Sequence, residues 1–360
     1  LPLSPKQSRN LSNKHFGAQE FLAQSSPPSN WRDPMTKFRL GITAFAACSA
    51  LLLSACSTSG APAGTADGEL EKTDLTVGVL PLADYAAVYW AEEKGLFEAE
   101  GLKVTLEPIQ GGPIGIQKVA TGELDFAISN SISASIMQAQ GAPVTNVTHT
   151  SSLGLGSGIV FVNPNSPIDT IDDLHGKTLG TNTTRNIGDV TFNNLVRSLG
   201  KDIEPSFIEV PFPEMIPGVQ AGSIDAGYAP EPFASAAKNA GMRVIADVTS
   251  GPNEHLAAST FVAGDKFVSE NPDTTAAFAR AIYAAGAEMS EDEKGFRSWL
   301  PAVTRVSDDV AETMVLPDFR STPDLDGLEH VASMLKEQGL VPDDYDIVEH
   351  TYILPDSSED

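Results

Sequence analysis

Cysteine is nearly absent: the 360 residues contain two, Cys48 and Cys56. That excludes a disulfide-stapled scaffold and a four-cysteine zinc site. Basic residues are scarce as well, 23 against 48 acidic ones, giving a net charge of -25. Phosphate recognition needs a basic footprint, so nucleic-acid binding is excluded. His149, His175, His255, His330 and His350 are scattered without His-x-x-x-His spacing, and no metal site is expected. Outside the N-terminal region no apolar run reaches membrane-spanning length. No cofactor is expected either. The run Gly154-Leu155-Gly156-Ser157-Gly158 fails G-x-G-x-x-G because Ile159 takes the last glycine position, and it is not a G-x-S-x-G nucleophile elbow. What remains is an ordinary globular composition, 41% hydrophobic and 20% charged. At roughly 100–200 residues per domain, the length suggests two domains.

The N-terminus reads as an address. Residues 1–34 are polar and patternless and are expected to be a mis-called upstream extension. Residues 35–55 begin with Met35, carry Lys37 and Arg39, and continue into an uncharged Ala- and Leu-rich run, as a secretory signal peptide does. The run ends in Leu53-Ser54-Ala55-Cys56, which resembles a bacterial lipobox. This resemblance implies that Cys56 is lipidated and that the exported chain is held on the outer face of the cell membrane. Removing residues 1–55 takes away six basic and two acidic residues, leaving the exported part near -29. Residues 56–73, rich in Ser, Thr, Gly, Ala and Pro, form an expected flexible tether.

Beyond the tether, strand and helix patterns alternate. Strands are expected at 75–79, 102–106, 125–128 and 144–148, with helices at 84–94, 114–121 and 131–139. A similar unit follows between Lys177 and Asp247. The rhythm argues for α/β lobes with doubly wound sheets. The two units echo each other: Val119-Ala120-Thr121-Gly122-Glu123-Leu124-Asp125 matches Val219-Gln220-Ala221-Gly222-Ser223-Ile224-Asp225 at an offset of 100. After residue 256 the pattern turns helical, with an Ala-rich helix from Asn271 onward.

Three stretches carry a family resemblance: Tyr85 to Val104, Val119 to Phe126, and Ile171 to Gly180. Together they resemble the nitrate/sulfonate/taurine and thiamine-pyrimidine group of solute-binding proteins from ABC importers. The resemblance implies a two-lobed periplasmic-binding-protein type II fold with a ligand cleft between the lobes. It places lobe 1 at 74–161 plus 257–355, with the C-terminal helices, and lobe 2 at 162–256. It also implies a monomer that takes a small-molecule ligand and hands it to an ABC transporter permease.

Ligands of open α/β sheets sit beyond the carboxyl ends of the strands. That rule selects five loops. Asp84 either caps a helix or meets a cationic group, and Tyr85 and Tyr89, at i and i+4, can present one face to a planar ligand. Gly111 and Gly112 permit close backbone approach. Ser129, Asn130 and Ser131 either cap a helix or bind a polar edge. In lobe 2, Asn182, Thr183, Thr184 and Arg185 are dense in donors, and Arg185 can pair with an anion. The family resemblance implies an acidic-Pro-aromatic element at Glu231-Pro232-Phe233, which makes Glu231 either a candidate ligand or hinge-latch residue or the start of a capped helix. Arg185 favours a sulfonate- or nitrate-like anion, whereas the tyrosines and amides favour a pyrimidine-like heterocycle. An enzyme resembling a thiamine-pyrimidine synthase needs a Cys-rich iron motif, which this chain lacks. A sensory surface lipoprotein would share both anchor and fold.

Overall fold

The computed structural model describes residues 70–355. The extension, the signal segment, Cys56 and most of the tether lie outside the described residues.

Lobe 1 begins with three βα steps and a fourth strand. Strand β1 (Asp74–Val79) leads to α1 (Ala86–Glu93) and α2 (Leu96–Ala99), and β2 (Lys103–Pro108) to α3 (Gly112–Ala120). Strand β3 (Phe126–Asn130) leads to α4 (Ser131–Gln138), and β4 (Val144–Ser152) closes the run. The chain then crosses to lobe 2 and forms β5 (Gly158–Val162), β6 (Thr178–Thr181), α5 (Ile187–Ser198), β7 (Ser206–Glu209) and α6 (Phe212–Ala221). It continues through β8 (Ala226–Pro230), α7 (Phe233–Asn239) and β9 (Arg243–Asp247), and returns as β10 (Ala257–Gly264). The remainder is α8 (Asp265–Glu270), α9 (Pro272–Glu291), α10 (Glu293–Thr304), α11 (Asp308–Thr313), β11 (Asp318–Phe319) and α12 (Leu325–Glu337).

The sheets share one topology. Lobe 1 runs β2-β1-β3-β10-β4 with β11 added at the edge, and lobe 2 runs β7-β6-β8-β5-β9. Each holds three parallel strands beside one antiparallel strand that has come from the other lobe, β10 and β5 respectively.

The sequence echo has a physical basis in these sheets. Gly122 and Gly222 end α3 and α6 in the left-handed region, at φ 73° and 71°, where glycine meets no steric penalty. Asp125 then accepts a hydrogen bond from the Thr76 N–H at 2.9 Å, and Asp225 accepts one from the Thr178 N–H at 2.8 Å. Each aspartate thus pins the start of its own strand to the start of the central strand beside it, β1 or β6.

The expected boundary at 161/162 is corrected. Residues 158–162 pair along their whole length with β8, and 159–162 pair with β9, so all of β5 belongs to lobe 2. The first crossing is therefore residues 153–157, and the second is residues 248–256. The two touch: the Leu153 N–H donates to the Leu256 carbonyl at 3.0 Å, and the Gly156 N–H to Thr249 Oγ1 at 2.9 Å.

Packing explains why α9 is long and rich in alanine. Small residues let it lie close to the sheet, with Phe278 stacked on Phe126 at 3.9 Å and on Phe97 at 5.5 Å. The C-terminal helices also reach lobe 2. The Arg197 guanidinium of α5 donates to the Glu337 carbonyl at the end of α12, at 2.7 Å.

Candidate functional site

The carboxyl ends of β1, β2, β3, β6, β7 and β8 converge on the interlobe cleft. Its innermost pocket, about 30 Å³, is bounded by Asp84, Tyr85, Gly111, Gly112, Asn130, Asn182, Asn186 and Tyr228, with Ile128, Ile187 and Pro230 among the apolar walls. A second cavity of about 230 Å³ shares Leu80, Leu82, Asn182 and Phe212 with it and is otherwise walled by Pro81, Ile109, Pro211, Pro213 and Phe233, with Gln110 as a further polar member.

Two helices start at this cleft from opposite lobes, and each begins with an asparagine. Asn130 Oδ1 accepts the Ser133 N–H at 2.9 Å and caps α4. Asn186 Oδ1 accepts the Ile187 N–H at 2.8 Å and caps α5. Oxygen acceptors are favoured here because the first helical N–H groups have no intrahelical partner. The caps also meet: Asn130 Nδ2 donates to Asn186 Oδ1 at 2.5 Å, and Ser133 Oγ donates to the same oxygen at 2.9 Å. Thr183 Oγ1 and Asn182 Oδ1 accept from Asn186 Nδ2 on the lobe 2 side.

Asp84 sits in the short 3-10 turn Ala83–Tyr85 before α1 and caps no helix. Asp84 lines the small pocket and is half-buried. Among the described residues no other group donates a hydrogen bond to its carboxylate. Protein surrounds the pocket, and desolvation together with the nearby Glu231 carboxylate pushes the Asp84 carboxyl up to about 7. Tyr85 is buried beside it and donates its hydroxyl to the Ser129 carbonyl at 2.7 Å. Burial and the Asp84 charge raise the Tyr85 and Tyr228 hydroxyls well above the ordinary phenol value, so both stay protonated.

Gly112 is required by close approach: a Cβ there would lie 2.8 Å from Ser129 Oγ and 3.2 Å from Ser129 Cα. Gly111 faces lobe 2, and a Cβ on it would lie 3.1 Å from Asn182 Nδ2.

Other expected site residues are placed elsewhere. Tyr89 packs half-buried against the lobe 1 core and lines neither cavity. Ser129 is fully buried, with its carbonyl engaged by Tyr85, and the Ser131 hydroxyl donates to the Ala257 carbonyl of β10. Thr184 turns outward, donating its N–H and its hydroxyl to Glu209 at 2.8 Å. Arg185 has φ 54°, and this left-handed turn sends its exposed side chain to the rim. There, with the Gln140 side-chain amide of lobe 1 turned so that its oxygen faces the guanidinium, both terminal nitrogens reach that oxygen, at 2.9 and 3.3 Å. Glu231 is buried and its carboxylate is satisfied. It accepts from the Ser235 N–H at 3.0 Å, from Ser235 Oγ at 2.8 Å and, across to the C-terminal segment, from the Val315 N–H at 3.2 Å.

The sequence reasoning missed the aromatic wall and Asn186. Phe212 stacks on Phe233 at 5.5 Å, and Tyr228 lies 6.3 Å from Phe212. The strand-end rule, applied to Val210-Pro211-Phe212-Pro213 after β7, points to Phe212. None of the residues lining the two cavities is Lys, Arg or His, and Asp84 is their one charged member.

This architecture is that of the periplasmic-binding-protein fold. The alkanesulfonate-binding protein SsuA from Xanthomonas axonopodis pv. citri, solved with MOPS bound, superposes with a TM-score of 0.64 at 17% identity, over 79% of this chain and 100% of that one. Residues 83–294 match the model of the NMT1/THI5-like family, and the chain belongs to that family. Two curated relatives are similar in sequence. YtlA of Bacillus subtilis (strain 168), whose name calls it a binding protein, is 28% identical over 207 residues, 56% of this chain and 61% of its own. The riboflavin-binding protein RibY of Chloroflexus aurantiacus (strain ATCC 29366 / DSM 635 / J-10-fl) is 29% identical over 144 residues, 36% of this chain and 40% of its own. The chain thus spans about three-fifths and two-fifths of the length of these relatives.

Proposed function

We propose that this protein is an extracytoplasmic solute-binding lipoprotein that captures a small planar organic nutrient in the interlobe cleft and delivers it to an ABC transporter permease. The carrying observation is the wall chemistry. Phe212, Phe233 and Tyr228 give the cavities aromatic surface, and Gln110 and Asn182 add side-chain amides. Aromatic faces favour stacked planar partners, and a few convergent polar groups set orientation. The names of YtlA and RibY agree with a binding role, and riboflavin in the name of RibY agrees with a planar heterocycle.

An anion is the second reading, favoured by the MOPS bound to SsuA and by the two helix N-termini at the cleft. Against it stands the lining itself, which carries a carboxylate and no cation. Binding needs no catalytic group, and the protein is read as a carrier that acts as a monomer. The Cys56 motif supports a lipid tether on the outer membrane face, which keeps captured solute beside the permease.

Two experiments test this reading. Cell fractionation with mass spectrometry should find wild-type protein acylated in the membrane fraction, and Cys56→Ala should release it; an unmodified, soluble wild type would sink the tether. A binding panel with product analysis should find a ligand recovered unchanged, and turnover of that ligand would overturn the carrier role.

A further inference from the structure

The cleft holds one ionisable group that its surroundings leave uncompensated. Tyr85 spends its hydroxyl on the Ser129 carbonyl, the asparagine caps spend their oxygens on helix N–H groups and on each other, and Glu231 is closed off by Ser235 and Val315. Only the Asp84 carboxylate remains, in the small pocket that shares Leu80, Leu82, Asn182 and Phe212 with the larger, aromatic-lined cavity. A desolvated carboxylate without a partner is costly, and such groups concentrate where a ligand supplies the missing partner.

We propose that Asp84 is the charge selector of the cleft and that the ligand is a planar nitrogen heterocycle bearing a positive charge, whose charged nitrogen it receives. This deepens the reading above and rests on it. The ring lies along Phe212 and Phe233, and its charged edge points inward. The same carboxylate repels sulfonates and carboxylates, and no lining cation offsets that repulsion. The titratable groups around it are Glu231, just after β8, and the Tyr85 and Tyr228 hydroxyls; Lys238 of α7 lies behind Glu231, and Asp189 of α5 behind Tyr228. Since Asp84 titrates near neutrality, a cationic ligand binds more tightly as pH rises through that range and the carboxyl loses its proton.

The test uses purified protein, wild type and Asp84→Asn, titrated calorimetrically with nitrogen heterocycles in charge-matched triplets. One triplet is 1-methylnicotinamide, nicotinamide and nicotinate. In wild type the cationic member should bind at least about tenfold more tightly than the neutral one, as a charge-assisted contact implies. In Asp84→Asn that preference should shrink to about threefold or less, and its pH dependence should flatten. A cooperative thermal unfolding transition reports that the variant is folded. Rings that bind wild type with an unchanged ranking in the variant, or with the anion tightest, overturn the selector and leave the heterocycle reading standing. If MOPS binds and no ring does, the heterocycle reading fails and the selector with it.

Discussion

Asn130 and Asn186 cap helices in different lobes and are hydrogen-bonded to each other at 2.5 Å, Nδ2 to Oδ1. This contact ties together, across the lobes, the two residues that cap α4 and α5. Asn186→Ala should remove a cap worth ~1 kcal/mol and free three donors that now converge on Oδ1. Stability should fall by about 1–3 kcal/mol in denaturant titration. Small-angle scattering should show a larger radius of gyration as the lobes part. An unchanged radius with normal stability would show that the amide pair does not hold the lobes together.

Phe233→Ala tests the aromatic wall. Phe233 is only partly buried, so its loss perturbs the cleft mouth more than the core. Affinity for a planar ligand should drop about tenfold, the order expected for one lost aromatic contact of ~1 kcal/mol or more. Phe212→Ala should cost stability as well, because Phe212 is buried in the lobe 2 core. Calorimetric titration paired with thermal unfolding separates the two effects.

Arg185→Ala should leave ligand affinity within about twofold, the range of surface changes away from a site. The residue lies at the rim against Gln140 and lines neither cavity. A selective loss for anionic ligands would restore the salt-bridge expectation drawn from its loop.

Asp84 should make the ligand-free protein less stable as pH rises. Its carboxyl holds a proton more tightly in the folded state, at about 7 against 3.8 unfolded, so no cost exists below the lower value. The cost grows between the two and is fully present above the higher one. At about 1.4 kcal/mol per unit, Asp84→Asn should stabilise the protein by a few kcal/mol at pH 8 and by nothing near pH 4. Comparing the two proteins at each pH cancels His149. That imidazole, pushed down to about 4 by burial, works in the opposite sense and costs stability as pH falls below 6.5. Equal stability of variant and wild type at pH 8 would contradict an uncompensated carboxylate.

Much of the frame was legible from periodicity, because strands and helices carry different apolar spacings and several helices are bounded by glycine or asparagine, as α3 and α6 are at Gly122 and Gly222 and α4 and α5 at Asn130 and Asn186. The echo at 119–125 and 219–225 survives as a shared aspartate-to-strand contact. Side-chain direction was less legible. Tyr85 and Tyr89 share a face on an unbroken helix, but residues 83–85 form a 3-10 turn, and the change of pitch sends Tyr85 inward and Tyr89 toward the outer core. Arg185 belongs to a donor-rich loop, yet a left-handed backbone step turns it away. The aromatic wall was hidden because Phe212 and Phe233 each open a helix, and in sequence they resemble core positions.

The most direct measurement is a thermal-shift panel on the purified protein, setting planar nitrogen heterocycles against sulfonates and nitrate. A ligand at 100 times its Kd stabilises by about 2.7 kcal/mol, a readable shift. A shift with a heterocycle, absent with sulfonates and nitrate, is the predicted result. Stabilisation by a sulfonate or nitrate with none by any heterocycle would contradict it.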